Sequence, residues 1–158
     1  MKDDVPRAHI VQINVSAGCV PKRPVPSARV MPLGLEGDTQ QDKVHHGGLE
    51  RAICIYALEH ILALQAEGNP IYPGSTGENL TVAGLDWDRM IPGARLQVGE
   101  AVELEITGYA APCRTIVSSF HKNRFGRISQ KAHPGWSRVY ARVNQTGPIA
   151  PGDAVVLL

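Results

Sequence analysis

The stretch ARLQVGEAVELEI, residues 94–106, carries the clearest secondary-structure signal of the chain. Apolar and polar residues alternate on both sides of Gly99-Glu100, and such alternation is typical of a half-buried β-strand. The Gly-Glu pair between the two runs predicts a two-residue hairpin turn with glycine first. Residues 94–106 are therefore expected to form a β-hairpin.

Weaker β patterns lie on both sides of this hairpin and extend to the ends of the chain. One helix of about ten residues is predicted from Leu58, and Gly68-Asn69-Pro70 is its stop signal. Residues 21–26, 34–48 and 73–79 are expected to be loops. Strands near both ends with short hairpins predict a mainly β fold with a few short helices, closed into a barrel by pairing of the chain's ends. The expected further strands are residues 11–15, 52–56, 80–82, 139–143 and 154–158.

The composition is that of an ordinary soluble globular domain. The 158 residues are 43% hydrophobic and 20% charged, so residues 1–158 are interpreted as a single domain. A formal net charge of +1 argues against a dedicated nucleic-acid or membrane-surface protein. No apolar run approaches the roughly 20 residues of a membrane span. The start, MKDD, lacks an apolar signal core, so the protein is expected to be cytoplasmic.

Cys113 is the most informative single residue. Pro112 suits the first turn of a helix, and Ile116, Val117 and Phe120 behind it form an apolar stripe of helical period. A cysteine at a helix start, beside an arginine, favours the thiolate, which acts as a nucleophile, a sulfur carrier or a soft-metal ligand. The alternative is a small buried hydrophobic residue, which is a common role of free cysteine.

The other two cysteines, Cys19 and Cys54, are interpreted as structural. Cys54 lies in an apolar strand pattern, and Cys19 ends the first predicted strand. Three cysteines without a Cys-x-x-Cys pair make a disulfide framework or a cysteine zinc site improbable. We therefore expect reduced thiols.

A glycine- and histidine-rich stretch, residues 37–48, is a candidate metal site. Asp38, Asp42 and His46 are spaced by four, with His45 beside them. A zinc site needs three or four fixed ligands, and the flanking glycines oppose the helix that would align these side chains. The alternative is that aspartate and histidine bond to the backbone and fix the loop.

Two further segments could bind polar or anionic groups. Gly74–Asn79 resembles a phosphate-binding loop but lacks the Gly-Lys-Ser/Thr end, so Asn79 either holds a polar ligand or orders the turn. A basic run around Phe125 is expected to be either solvated surface or a site for a group such as a phosphate. Nothing in the spacing selects His121 or His133 as an acid or base. The cations of the run are Lys122, Arg124, Arg127 and Lys131.

Taken in order, five short motifs resemble the MOSC domain, the C-terminal domain of molybdenum cofactor sulfurases. They are Gly34–Asp38, His46–Gly48, Gly77–Thr81, Pro112-Cys113 and Gly152-Asp153. The resemblance runs from about Val11 to Leu158, and the version with Asp42 is most similar to the bacterial stand-alone members. Many relatives carry an arginine shortly before the Pro-Cys pair, where this chain has Gly-Tyr-Ala-Ala.

The resemblance implies a barrel-like fold and a pocket for the molybdenum cofactor (molybdopterin). Cys113 would be the molybdenum ligand, and Asp38, His46, Asn79 and Arg114 would line the pocket. Relatives that reduce N-hydroxylated compounds imply an oxidoreductase with a small-molecule substrate and a redox partner protein. A second interpretation is a sulfur carrier with a persulfide on Cys113, a sulfur donor and no turnover of its own. A third is a small-ligand-binding barrel in which Cys113 is structural.

The resemblance also bears on assembly. Larger relatives bind the cofactor partly through an additional domain that the 158 residues do not include. A partner protein or a second copy of the chain, as in a homodimer, would then supply the missing wall.

Overall fold

The structure is a computed structural model that describes residues 7–39 and 47–158. Short strands dominate it, with one α-helix, α1 (Leu58–Ala66), and several short 3-10 helices. No helix among the described residues has both the length and the apolar character needed to cross a membrane. The strands are β1 (His9–Val15), β2 (Arg23–Val25), β3 (Ala28–Met31), β4 (Gly34–Leu35), β5 (Ile53–Ala57), β6 (Leu80–Ala83), β7 (Arg95–Val98), β8 (Val102–Tyr109), β9 (Val139–Gln145), β10 (Gly147–Ile149) and β11 (Val155–Leu157). The 3-10 helices are η1 (Leu49–Arg51), η2 (Trp87–Arg89), η3 (Arg114–Ser119), η4 (His121–Asn123) and η5 (Phe125–Ile128).

The strands form two sheets. An eight-stranded sheet has the order β11-β7-β8-β9-β5-β6-β1-β2, and a three-stranded sheet has the order β10-β3-β4. Every pair in both sheets is antiparallel except β5 with β6. Parallel neighbours need a crossover, and the connection between β5 and β6 contains α1. The mainly β fold with few short helices is therefore as predicted.

The predicted closure into a barrel is wrong for the described residues. The eight-stranded sheet is open, and its two ends meet only through an isolated bridge between His9 and Ala154 and a few backbone hydrogen bonds. The free edge of β1 is divided, because residues 13–15 pair with β2 while Ile10 bonds to the backbone of Gly152 and Asp153. That division leaves too little of β1 for a continuous ladder with β11.

The hairpin over residues 94–106 is present, with a longer turn than predicted. Val98 pairs with Val102, so three residues, 99–101, connect β7 to β8. Gly99 has φ +63°, and a Cβ there would lie 3.0 Å from the carboxylate of Asp153. A glycine is needed at Gly99 for both reasons.

Two apolar clusters lie on either side of strand β5, which is buried along its whole length. The main cluster takes its residues mostly from strands of both sheets. The second cluster includes residues of α1 and of the 3-10 helices. Because successive strand residues point to opposite faces, Cys54 and Tyr56 lie on the face opposite Ile53 and Ile55. The second cluster consists of Tyr56, Ile61, Leu64, Ile71, Ile116, Phe120 and Ile128.

Candidate functional site

A pocket of about 880 Å³ lies where six segments of the fold meet, and Cys113 is part of its wall. The segments are the connection from β1 to β2, the loop after β4, the stretch from η1 into β5, the loop before β6, the stretch from the end of β8 into η3, and the start of β9. The lining residues are Ser16, Gly18, Cys19, Val20, Lys22, Thr39, Arg51, Cys54, Thr76, Gly77, Tyr109, Ala111, Pro112, Cys113, Arg114, Thr115, Ile116, Arg138 and Tyr140.

Cys113 stands at the N-cap of η3, as the sequence predicted, but the helix is a six-residue 3-10 helix. Its backbone is extended, and its carbonyl accepts the N–H of Ile116 at 3.2 Å. Its Sγ lies 2.9 Å from Oγ1 of Thr115, which also lines the pocket. Ile116 and Phe120 are buried in the second apolar cluster and hold η3 in place. The half-buried thiol is thus fixed at the pocket wall.

The charge of the pocket wall is entirely positive among the described residues. Lys22, Arg51, Arg114 and Arg138 line the pocket, and no described aspartate or glutamate does. Low-dielectric walls with one sign of charge raise the local concentration of counter-ions. The wall therefore favours a negatively charged ligand.

Arg138 is the most unusual of these cations, because it is only 6% exposed. Its Nη1 donates to the carbonyl of Thr76 at 2.5 Å, and its Nη2 reaches the carbonyls of Ala110 and Ala111 at 3.4 and 3.5 Å. Its Nε is buried and has no hydrogen-bond partner among the described residues. No described carboxylate forms an ion pair with it. A buried charge normally has a paired charge, so this guanidinium keeps a positive charge that no described ion pair neutralises.

Asp38 and Asn79 lie together, one layer behind the pocket wall. The Asp38 carboxylate accepts from Lys22 Nζ at 2.6 and 2.8 Å, from Asn79 Nδ2 at 2.9 Å and from the N–H of Ser16 at 2.9 Å. Asn79 Oδ1 accepts the N–H of Cys54 at 3.0 Å. Both therefore position lining residues and are not among the lining residues themselves. Of the other predicted site residues, Arg114 lines the pocket, whereas His46, with Asp42 and His45, lies outside the described residues.

The loop before β6 is ordered by its own contacts. Gly74 has φ +88°, and a Cβ there would lie 2.5 Å from the carbonyl of Lys22, so only glycine allows this close approach. Thr76 and Gly77 at the loop's centre face the pocket. Of the two alternatives for this loop, the contacts show an ordered turn, and ligand binding by the loop stays a prediction.

Glu78 is a fully buried carboxyl group that the sequence reasoning missed. It accepts hydrogen bonds from Oγ1 of Thr76 at 3.0 Å and from Oγ1 of Thr81 at 3.3 Å. Burial raises the pKa of Glu78, and hydrogen bonds from the backbone and from Thr76, together with the charge of Arg138, oppose the shift only in part.

All three cysteines of the chain line the same pocket. Cys54 is buried, and burial raises the pKa of its thiol to about 11. Cys19 is exposed, and Cys113 is half-buried. Local sequence could not show this convergence, because the three residues come from three different segments. The cysteines are free, as predicted.

Tyr140 completes the wall beside Cys54, its cross-strand partner. The Arg51 guanidinium lies 5.7 Å from the centroid of the Tyr140 ring. Burial raises the pKa of the Tyr140 hydroxyl, so the group keeps its proton at neutral pH. Tyr140 is thus a neutral phenol in the wall.

The basic run around Phe125 is outside the pocket. Arg127 forms a bidentate ion pair with Glu67 at 2.9 Å and lies over the Trp136 ring. Lys122, Arg124 and Lys131 are exposed. Of the two alternatives for this run, the structure favours a solvated surface. Arg127 joins η5 to the end of α1.

The described residues contain no group of three or more histidine, cysteine, aspartate or glutamate side chains that could hold a metal ion. A metal ion at Cys113 would therefore need most of its ligands from a bound molecule or from residues outside the described ranges. A dithiolene is a soft ligand of the appropriate kind.

The chain is similar in sequence and in structure to proteins of one family. The model of the MOSC domain family matches residues 42–156. YflK of Bacillus subtilis is 34% identical over 140 residues, which cover 87% of this chain and 62% of YflK. A Gibberella moniliformis protein named Reductase is 33% identical over 118 residues, or 72% of this chain and 20% of that protein. YiiM of Geobacillus stearothermophilus has a crystal structure that superposes with a TM-score of 0.74 at 27% identity, covering 96% of this chain and 75% of YiiM. The chain thus spans less than two thirds of the length of the curated relatives it matches.

Proposed function

The chain belongs to the MOSC domain family, and we propose that it is a molybdenum-cofactor-dependent reductase of N-hydroxylated small molecules. Cys113 would hold the molybdenum through its sulfur. One observation carries the proposal: this half-buried thiol shares a pocket with four cations and no described carboxylate. The Gibberella moniliformis relative named Reductase supports the reaction class.

The residues of the pocket fit the charge of molybdopterin, which carries a phosphate and a dithiolene. The guanidinium of Arg138, a pocket-lining residue without a described ion-pair partner, is suited to an anionic oxygen. Arg51 and Arg114 add positive charge to the same wall. Lys22 is held by Asp38, so its charge is partly compensated before any ligand arrives. Arg138, with Arg51 and Arg114, would hold the phosphate, and Cys113 would hold the metal.

When bound, the cofactor supplies a two-electron redox centre at which the N–O bond is broken. The conversion consumes two electrons and two protons and yields the amine and water. The chain's own contribution is to orient the cofactor and to supply hydrogen-bond donors.

The setting we propose for this reaction is the cytoplasm. All three cysteines are free, and free thiols persist in reducing compartments. A redox partner protein would deliver the electrons. A second copy of the chain would close the pocket where larger relatives use a further domain.

Turnover of an amidoxime probe tests the proposal. Protein made in a cofactor-producing host and supplied with reduced methyl viologen should convert the amidoxime to the amidine. Cys113→Ser should lose this activity, and Cys19→Ser, the matched control in the same pocket, should retain it. Molybdenum-loaded wild-type protein that leaves both amidoximes and N-hydroxylated bases unchanged would contradict the proposed reaction.

Sulfur transfer is the second candidate, and the convergence of three thiols on one pocket favours it. In this case Cys113 would carry a persulfide without turnover of its own. Incubation with a cysteine desulfurase and cysteine should then add one sulfur atom to Cys113, detectable by mass spectrometry of the alkylated peptide. A thiol that stays unmodified under conditions that load a known carrier would rule this role out.

A further inference from the structure

The charge of this chain is distributed very unevenly along its length. Residues 106–152 contain seven lysines and arginines and no aspartate or glutamate. The whole chain has sixteen lysines and arginines and fifteen acidic residues, so the remainder carries nine cations and fifteen carboxylates. The near-neutral net charge therefore hides a positive segment, and that segment contains Cys113.

Some of these cations are already used within the fold. Arg127 pairs with Glu67, Arg142 pairs with Glu50 and Glu105, and Arg138 is buried. Four exposed cations of this segment form no ion pair with any carboxylate among residues 7–39 and 47–158. We call these four residues, Arg114, Lys122, Arg124 and Lys131, the basic surface.

The basic surface begins at the pocket. Arg114 lines the pocket beside Cys113, and it is the first residue of η3. Helices η4 and η5 pack against η3, and the buried side chains of Phe120 and Ile128 anchor the layer. At about 2 Å of rise per residue, the six residues of η3 span roughly 12 Å, so Lys122 follows Cys113 within a short distance along the layer.

The backbone of this layer contains an unfavourable conformation at two exposed residues. Lys122 and Asn123 have φ +53° and +60°, two successive residues with side chains in the left-handed region. Such conformations persist where the surrounding structure enforces them, and they are concentrated at functional sites. The adjacent N–H of His121 is fixed by Asn69 Oδ1 at 3.0 Å. The turn at Lys122 is therefore held in place rather than left to relax.

We propose that the basic surface is the docking site of an acidic electron-carrier protein, which reduces the centre held at Cys113. This inference rests on the proposed function. The carrier is oxidised by two electrons in each turnover, and those electrons, with two protons from solvent, convert the N-hydroxyl group to the amine and water. Complementary charge across such an interface increases the association rate and orients the partner. Lys122, Arg124 and Lys131 would contact the carrier. Arg114, which lines the pocket beside Cys113, would be the cation of the basic surface nearest to the site.

The rate of reduction by an acidic flavodoxin, compared with methyl viologen, tests the docking role. With reduced flavodoxin as donor, turnover by wild-type protein should fall about tenfold as the salt concentration rises from about 20 to 200 mM. Lys122→Glu/Arg124→Glu should lower the flavodoxin-driven rate about tenfold at low salt and lose most of the salt dependence. Arg29→Glu, which changes an exposed arginine on β3, should stay within about twofold of wild type.

Methyl viologen separates the possible failures, because a small dye needs no docking surface. Both charge-changed proteins should keep dye-driven activity within about twofold of wild type. If the double variant keeps both activities, the docking role is wrong while the proposed function stands. If wild-type protein shows no dye-driven activity, the proposed function fails and the docking role with it. Salt-dependent binding of a single-stranded DNA probe, without any effect on flavodoxin, would reassign the surface to nucleic acid.

Discussion

The ammonium group of Lys22 lies 2.6 Å from the Asp38 carboxylate, and both side chains are almost closed to solvent. The contact joins the connection after β1 to the loop that follows β4, and it places a lysine in the pocket wall. The carboxylate is further held by Asn79 and by the N–H of Ser16. Removing one partner of a buried ion pair leaves the other charge uncompensated. This pair therefore links the stability of the fold to the shape of the pocket.

Asp38→Asn should therefore destabilise the protein even when no cofactor is present. We expect the free energy of unfolding to fall by about 3 kcal/mol, since the Lys22 charge stays buried without its partner. Urea denaturation at neutral pH measures this change. The matched control is the double variant Lys22→Met/Asp38→Asn, which removes both charges and should recover part of the loss. A single variant as stable as wild type would show that the pair does not support the wall.

Arg138→Gln should leave the stability of the ligand-free protein nearly unchanged and should strongly weaken anion binding. The substitution removes a buried charge that has no described ion-pair partner, so the ligand-free protein should remain folded. Inorganic phosphate should raise the melting temperature of wild-type protein, because a ligand that binds only the folded state stabilises it. We expect the variant to need about tenfold more phosphate for the same shift. Equal responses of the two proteins would exclude Arg138 from the anion site.

The raised pKa of Glu78 predicts how stability depends on pH. The folded protein holds this proton more tightly than the unfolded chain, so the stability that Glu78 contributes is present at low pH. It is lost as the pH rises from the pKa of an unfolded glutamate through the higher folded value. Glu78→Gln removes the titration, so wild type should lose stability relative to the variant as the pH rises above about 4.5. Parallel pH profiles of the two proteins in urea denaturation would contradict this assignment.

The three pocket cysteines should react with iodoacetamide in the order of their accessibility. Cys19 is exposed and should react first, and half-buried Cys113 should follow through the open pocket. Cys54 should be the slowest at pH 8, because it is buried and the pKa of its thiol is about 11. Mass spectrometry of the alkylated peptides over time measures the order. A Cys113 that reacts as slowly as Cys54 would favour the interpretation in which Cys113 is structural.

Local patterns were sufficient to predict part of the fold. The alternation over residues 94–106, the apolar run that became β5 and the helix stop at Gly68-Asn69-Pro70 all have local physical causes. The proline-rich stretch 21–26 was predicted as a loop, yet it contains β2, an edge strand whose single neighbour is β1. An edge strand tolerates proline because part of its backbone needs no partner. That the sheet stays open could not be predicted from local patterns, because it depends on how β2 and the chain's end share one edge of β1.

The sequence predicted the pocket residues that lie in a recognisable local motif. Cys113 and Arg114 lie in the pocket as expected from the Pro-Cys motif. Arg138 and Lys22 were missed, because a lone basic residue beside a strand gives no local sign of burial. Only the tertiary fold brings Arg138 to the carbonyl groups of Thr76 and Ala110.

The molybdenum content of the purified protein tests the central claim most directly. Wild-type protein, expressed in a cofactor-producing host and purified without oxygen, should contain about one molybdenum atom per chain. Cys113→Ser should lose most of the metal, and Cys19→Ser should keep it, because Cys19 lines the pocket without serving as the metal ligand. Wild-type protein that contains no molybdenum, and that stays inactive after reconstitution with the cofactor, would contradict the account.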